Sequence, residues 1–314
     1  MEQNRRNFLK NAAVLTGSAL LFSDKSHSMP LSLNKTVHLS GPVEVFINQY
    51  TVSTFYAREG IKLMDNLDSC FAELKKAGLA GFEASVGKPE ELDAYVNAIK
   101  KHNLHLRSVY TDGNLHEEAV AQDEIKRVIA VAERAKPAGT KIIVLNPRSK
   151  SGKSDDELNR QNRNLDLLGA ELRKMSMIFA LHYHTTELEH AAREFHSFMS
   201  DTHPENVSLC YDVHWSYRAS GNSAVSAYSH AKLYADRITE LHLRQSKDGI
   251  WTEAFEKKGD LDYDNTLAIL RQRKNFDNCH IVLEQAPEKG TPQTLKPVEI
   301  FKQSVEAVQK MFNT

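Results

Sequence analysis

Residues 178–184 read IFALHYH, and three later segments share their form: 208–214 SLCYDVH, 238–244 ITELHLR and 280–285 HIVLEQ. Each is a short run rich in apolar and β-branched residues that ends in side chains able to carry charge or bind a metal. Such runs read as buried parallel strands. Working outward, Val43 to Asn48, Gly81 to Val86, Leu104 to Tyr110 and Lys141 to Asn146 have the same form, giving eight strands with Ile178–His184, Ser208–His214, Ile238–Arg244 and His280–Gln285. Helical patterns lie between them. Leu67 to Ala77 repeats apolar residues at Leu67, Phe71 and Leu74 and stops at Gly78, and Pro89 opens the next helix. Leu115–Ala135, Asp155–Met175, Leu188–Met199, Ser223–Asp236, Tyr263–Arg273 and Pro297–Phe312 follow, and the polar stretch Ser149–Asp156 reads as a long loop after the fourth strand. Strictly alternating units over this length predict a single-domain α/β fold, a (β/α)8 TIM barrel spanning 29–314. An open doubly wound sheet is the alternative, and no GxGxxG follows any strand to favour it.

In such barrels chemistry sits at the C-terminal ends of the strands. Alternation puts His182 and His184 on one face of the fifth strand, and Asp212 and His214 on one face of the sixth. The seventh ends in His242 and Arg244, and the eighth in Glu284. One polar strand end means little. Four in succession would bury unpaired charge at a cost of several kcal/mol each unless a cation joins them. His182, Asp212, His242 and Glu284 are therefore expected to hold a divalent metal, with a metal-free polar network as the alternative. Two imidazoles and two carboxylates suit Mn2+, Zn2+, Co2+ or Fe2+ better than Ca2+.

The 314 residues carry a formal net charge of −1, and removal of residues 1–28 leaves about −3. That balance gives no electrostatic basis for binding nucleic acid. Arg5-Arg6 precedes Phe8, Leu9 and Lys10 and a short apolar run from Ala12 to Phe22. Residues 1–28 thus read as a twin-arginine-like export signal, which implies a periplasmic protein; a frayed basic start on a cytoplasmic one is the alternative. The apolar run is too short for a stable membrane span. Cys70, Cys210 and Cys279 are scattered and odd in number, so they read as buried small hydrophobes.

Taken together, these landmarks resemble the xylose isomerase-like barrel superfamily, in particular its sugar phosphate isomerase/epimerase group. The resemblance runs over nearly the whole chain after the leader. It rests on Ala77-Gly78-Leu79-Ala80-Gly81-Phe82-Glu83, on Lys141–Asn146, and on His182-Tyr183-His184 with Glu187 following. Tyr211-Asp212-Val213-His214-Trp215 and Leu241-His242-Leu243-Arg244 complete it. It implies metal ligation by Asp212, His242 and Glu284, with His182 where many relatives place Glu or His. It also implies a small carbohydrate substrate from which a proton is removed beside a carbonyl. Relatives with two opposed glutamates epimerise; here His182 takes the fifth-strand place, so Glu284 alone remains of that pair. With Glu284, the expected acid–base groups are His184 and His214, and the expected reaction is elimination or hydration. A sugar isomerase or epimerase with the same metal site is the second expectation, and a non-catalytic exported sugar-binding barrel the third. A DNA-repair nuclease of the superfamily would need a basic face. Export and the lack of a Gly-rich phosphate cradle point to a keto-sugar or oxidised glycoside rather than a sugar phosphate.

Around the metal, Arg244 is expected to grip substrate or to form an internal salt bridge. Glu83, Tyr110 and Asn146 are candidates to line the pocket, and Trp215 and Trp251 to stack on a sugar ring or simply to pack. Glu187 either supports a ligand histidine or caps the next helix. The sequence leaves a homo-oligomer open.

Overall fold

The structure, a computed structural model, describes residues 43–273 and 276–313; the leader expected at 1–28 lies outside the described residues. Eight parallel strands close into one barrel: β1 (Val45–Asn48), β2 (Gly81–Ser85), β3 (Ser108–Gly113), β4 (Ile142–Pro147), β5 (Ile178–Leu181), β6 (Ser208–Asp212), β7 (Ile238–Leu243) and β8 (His280–Leu283). Each pairs with the next in sequence, and β8 closes on β1 through Val45↔Ile281 and Ile47↔Leu283. The open-sheet alternative is thereby excluded.

Alternation divides the strand side chains into two sets. Ile142, Val144, Ala180 and Cys210 pack together as one small cluster with Tyr110 against it. Their neighbours of opposite parity, Ile143, Leu145, Leu181 and Leu209, join a larger core shared with the helices. The helices are α1 (Gln49–Arg58), α2 (Leu67–Lys76), α3 (Leu92–Lys101), α4 (Glu118–Ala135), α5 (Asp155–Lys174), α6 (Glu189–Ser200), α7 (Val213–Arg218), α8 (Ala224–Tyr234), α9 (Tyr263–Leu270) and α10 (Pro297–Phe312). In α6 the regular helix starts after Ala192, because His190, Ala191 and Ala192 hold left-handed φ values. Among the described residues, no helix is long and apolar enough to cross a membrane.

Several boundaries differ from those the sequence predicts. The third strand lies later than Leu104–Tyr110: His105 forms only an isolated bridge to Gly81, and the ladder starts at Ser108. The fifth, sixth and eighth strands end before their last polar residues, so His184, His214 and Glu284 stand on loops or helix starts. All three cysteines are free; Cys70 and Cys210 are buried and Cys279 is half-buried.

Gly81 is set by close approach. A Cβ there would lie 2.2 Å from the His105 carbonyl oxygen and 2.2 Å from the Phe46 ring. Gly81→Ala is therefore expected to destabilise the barrel by about 2 to 3 kcal/mol through overpacking. Urea unfolding measures this, and an unchanged midpoint would show that Phe46 and His105 move aside freely.

Candidate metal centre

Strand register builds the site. Asp212 on β6 faces His242 on β7. His182 continues β5 by one more ladder bond, its N–H donating to the Leu145 carbonyl at 2.9 Å. Glu284 does the same beyond β8, donating to the Leu243 carbonyl at 2.9 Å. The ligand atoms of His182, Asp212, His242 and Glu284 all lie within 4.8 Å of one another, and all four residues are buried.

The Asp212 side chain is fixed by its role as a helix cap. Its Oδ1 accepts the N–H groups of both His214 and Trp215 at 2.8 Å, at the start of α7. Oδ2 is thereby turned toward the cluster, where it has no hydrogen-bond partner. His182 Nε2 is likewise buried and unpartnered. It lies 3.9 Å from Asp212 Oδ2 and 3.7 Å from Glu284 Oε2. Those gaps are too long for hydrogen bonds, yet two metal–ligand bonds of about 2.1 Å each span them. The donor set fits a divalent transition ion.

Arg244 crosses the carboxylates. Its Nε is 3.1 Å from Asp212 Oδ2 without hydrogen-bond alignment, and its guanidinium pairs with Glu284 Oε2. Burial pushes the Glu284 carboxyl up, but the charges of Arg244 and His242 outweigh it and hold the group well below the usual carboxylate range. Burial raises Asp212, against the pull of Arg244.

A cavity of about 620 Å³ opens over this cluster, lined by Tyr110, His184, Trp215, Arg244, Trp251 and Glu284 among others. The Tyr110 hydroxyl lies 3.3 Å from His182 Nδ1. The His184 ring stands edge-on to those of His182 and Trp215, at 4.8 and 5.3 Å between centroids. Burial, helped by the neighbouring His182, pushes the His184 imidazole down to about 3, so it is neutral near pH 7.

Residues 71–311 match the model of the xylose isomerase-like TIM barrel family. The chain belongs to that family. Rhizopine catabolism protein MocC of Rhizobium meliloti is 25% identical over 211 residues, which cover 63% of this chain. The match spans 62% of that relative's own length. A crystal structure of a sugar phosphate isomerase/epimerase from Parabacteroides distasonis superposes with a TM-score of 0.69 at 14% identity, covering 88% of this chain and 96% of that one. The IOLI protein, whose structure contains a zinc atom, gives a TM-score of 0.60 at 17% identity over 86% of this chain and 98% of that one.

On this xylose isomerase-like barrel the other expected site residues fall into different places. Tyr110, Arg244, Trp215 and Trp251 reach the cavity wall together with His184 and Glu284. His214 does not, contrary to the alternation argument. The chain turns into α7 at Val213, so His214 leaves the line of the strand. Its Nε2 bonds Ser246 Oγ at 2.8 Å, and its ring packs against Tyr217 and Trp251. Asn146 is also absent from the cavity lining; its amide donates to the Pro147 carbonyl at 2.9 Å. Glu187 supports no ligand ring and instead accepts the His184 backbone N–H at 2.7 Å. Glu83 sits behind His242 rather than in the cavity, bonded to Asn48 and Ser108 at 2.6 and 2.7 Å.

Two features had no place in the sequence expectations. Glu240 is fully buried on β7 with one oxygen 2.9 Å from His242 Nε2. It shares parity with His242, so alternation alone could have found it. A hairpin, Ser246–Lys247 with Ile250–Trp251, turns through Asp248 and Gly249 at positive φ and presents Trp251 to the cavity. Arg218 lies 3.4 Å over the Trp251 ring and pairs with Glu288 at 2.7 Å, which fixes that wall. The Asp-Gly pair was its sequence signal.

Proposed function

We propose that the protein is a divalent-metal-dependent enzyme that removes a proton beside the carbonyl of a keto-sugar or oxidised glycoside and eliminates the β-oxygen, or runs the reverse hydration. The observation that carries this reading is a pair of buried atoms that make no hydrogen bond, His182 Nε2 and Asp212 Oδ2, 3.9 Å apart beneath an aromatic-walled cavity. A divalent ion held by His182, Asp212, His242 and Glu284 would supply Lewis-acid stabilisation of negative charge developing on substrate oxygen.

The chain's own groups fit the remaining tasks. Trp215 and Trp251 wall the space that a sugar ring would fill. Arg244, buried but on the cavity wall, is a fixed donor for substrate oxygens. The His184 ring faces the cavity and its nitrogens make no hydrogen bond among the described residues, so it is placed to take up a proton there and pass it on. In the elimination, a base takes the proton from the carbon next to the carbonyl, a C=C bond forms, the β C–O bond breaks, and the leaving oxygen takes a proton.

Elimination is favoured over two-base epimerisation because one carboxylate of the cavity wall, Glu284, belongs to the cluster, while the other, Glu288, is tied to Arg218 and to the Trp251 N–H at 2.7 Å. Isomerisation or epimerisation at the same site is the second reading, in keeping with the Parabacteroides neighbour, a sugar phosphate isomerase/epimerase. Export to the periplasm belongs to the proposal too, and its support is the Arg5-Arg6 leader alone.

Proton NMR in D2O with Mn2+ and a panel of keto-sugars and 3-oxidised glycosides tests the reading. Elimination is expected to give an unsaturated ketone and release the β-substituent. An isomer that keeps every substituent would favour the second reading, and ligand binding with no turnover would leave a sugar-binding barrel.

A further inference from the structure

Beneath the proposed metal cluster the barrel holds a second set of charged groups, and its geometry has a direction. His242 Nδ1 faces Glu284 Oε2 at 2.9 Å, on the cavity side. Its Nε2 faces away from the cavity, 2.9 Å from Glu240 Oε1 and 3.3 Å from Glu83 Oε1. Both glutamates are fully buried. Glu83 is not free to rotate away. Glu83 is anchored by the Asn48 amide at 2.6 Å and by the Ser108 hydroxyl at 2.7 Å. Asn48 is itself held, because its Oδ1 caps α1 by accepting the Tyr50 N–H at 2.7 Å. The Cys210 thiol approaches Glu240 Oε1 at 3.6 Å from β6.

We propose that Glu240 and Glu83 are positioning residues for the metal, gripping the Nε2–H of His242 so that its Nδ1 lone pair is presented to the cation. With a cation on Nδ1, the ring's one proton sits on Nε2, where two carboxyl oxygens converge. The proton fixes the tautomer and the ring plane, and the adjacent negative charge makes Nδ1 a stronger donor to a cation. Glu240 lies two residues before its histidine on the same strand and Glu83 reaches it from β2, so the grip ties two separate strands to one ligand.

The inference rests on the metal reading of the cluster above. Its test is direct titration of Mn2+ and Zn2+ into metal-stripped full-length protein by calorimetry, for wild type, Glu240→Gln, Glu83→Gln and Ser108→Ala, with thermal unfolding of each metal-free form as the fold control. Glu240→Gln and Glu83→Gln are expected to bind roughly 10- to 100-fold more weakly, and Ser108→Ala to shift affinity in the same direction by less. Saturating metal should restore kcat in these variants, because no ligand has been removed. Folded Glu240→Gln and Glu83→Gln proteins that bind within twofold of wild type would overturn the positioning role while leaving the metal reading intact. Wild-type protein that binds neither ion would overturn both. If Glu240→Gln does not fold, Glu83→Gln and Ser108→Ala decide the matter alone.

Discussion

Asp212→Asn is expected to lower kcat/KM about a thousandfold and to strip the cation from the protein. The substitution is informative because Asp212 has two separable duties. Its Oδ1 caps α7 by accepting two backbone N–H groups, and an asparagine oxygen can keep that cap. Its Oδ2 makes no hydrogen bond and lies 3.9 Å from His182 Nε2 and 3.1 Å from Arg244 Nε, and an amide nitrogen there can bind no metal. The fold should therefore survive while a ligand is lost. A loss of about 4 kcal/mol in transition-state stabilisation, typical of removing a Lewis acid, corresponds to about three orders of magnitude in rate. Steady-state kinetics at saturating Mn2+ measure it. Activity within tenfold of wild type, with metal retained, would show that Asp212 is a cap and nothing more.

His184→Asn carries the second large effect, a fall in kcat of about 100- to 10,000-fold with metal content unchanged. His184 is on the cavity wall beside Glu284, and its ring touches those of His182 and Trp215 without replacing either. Its loss should separate proton transfer from metal binding, since substrate KM and metal stoichiometry hold while turnover drops. His214→Asn is the built-in comparison. His214 lies outside the cavity lining, bonded to Ser246 and packed on Trp251, so its replacement should lower stability more than turnover. Equal losses of kcat at the two positions would contradict the division of roles drawn from the geometry.

The difference between those two histidines also shows where sequence reasoning stopped. Period-two alternation placed His182, Asp212, His242 and Glu284 correctly relative to one another because each lies on a strand or within one residue of its end. It placed His214 wrongly because the rule ends where Asp212 caps a helix, and the chain turns there. The same limit hid α1. Its segment QYTVSTFYAR carries β-branched Thr51, Val52 and Thr54 and three aromatic residues, all weak helix formers. It is helical because Asn48 caps it and because Thr51, Val52, Phe55 and Tyr56 bury one face. The third strand also starts later than its apolar run, because His105 forms only an isolated bridge to Gly81 before the ladder begins at Ser108. Glu240 was legible from its parity with His242, whereas Glu83 was visible as a residue but not as a partner, because only barrel closure brings a β2 side chain to His242 Nε2.

The central claim is that four side chains from successive strand ends share one cation. Metal content of the purified protein, measured by elemental analysis after exchange into metal-free buffer and reloading with Mn2+, Co2+ or Zn2+, tests it most directly. The account predicts one divalent ion bound per chain in wild type and none in Asp212→Asn. Wild-type protein that binds no ion, or Asp212→Asn protein that binds one as tightly as wild type, would contradict it.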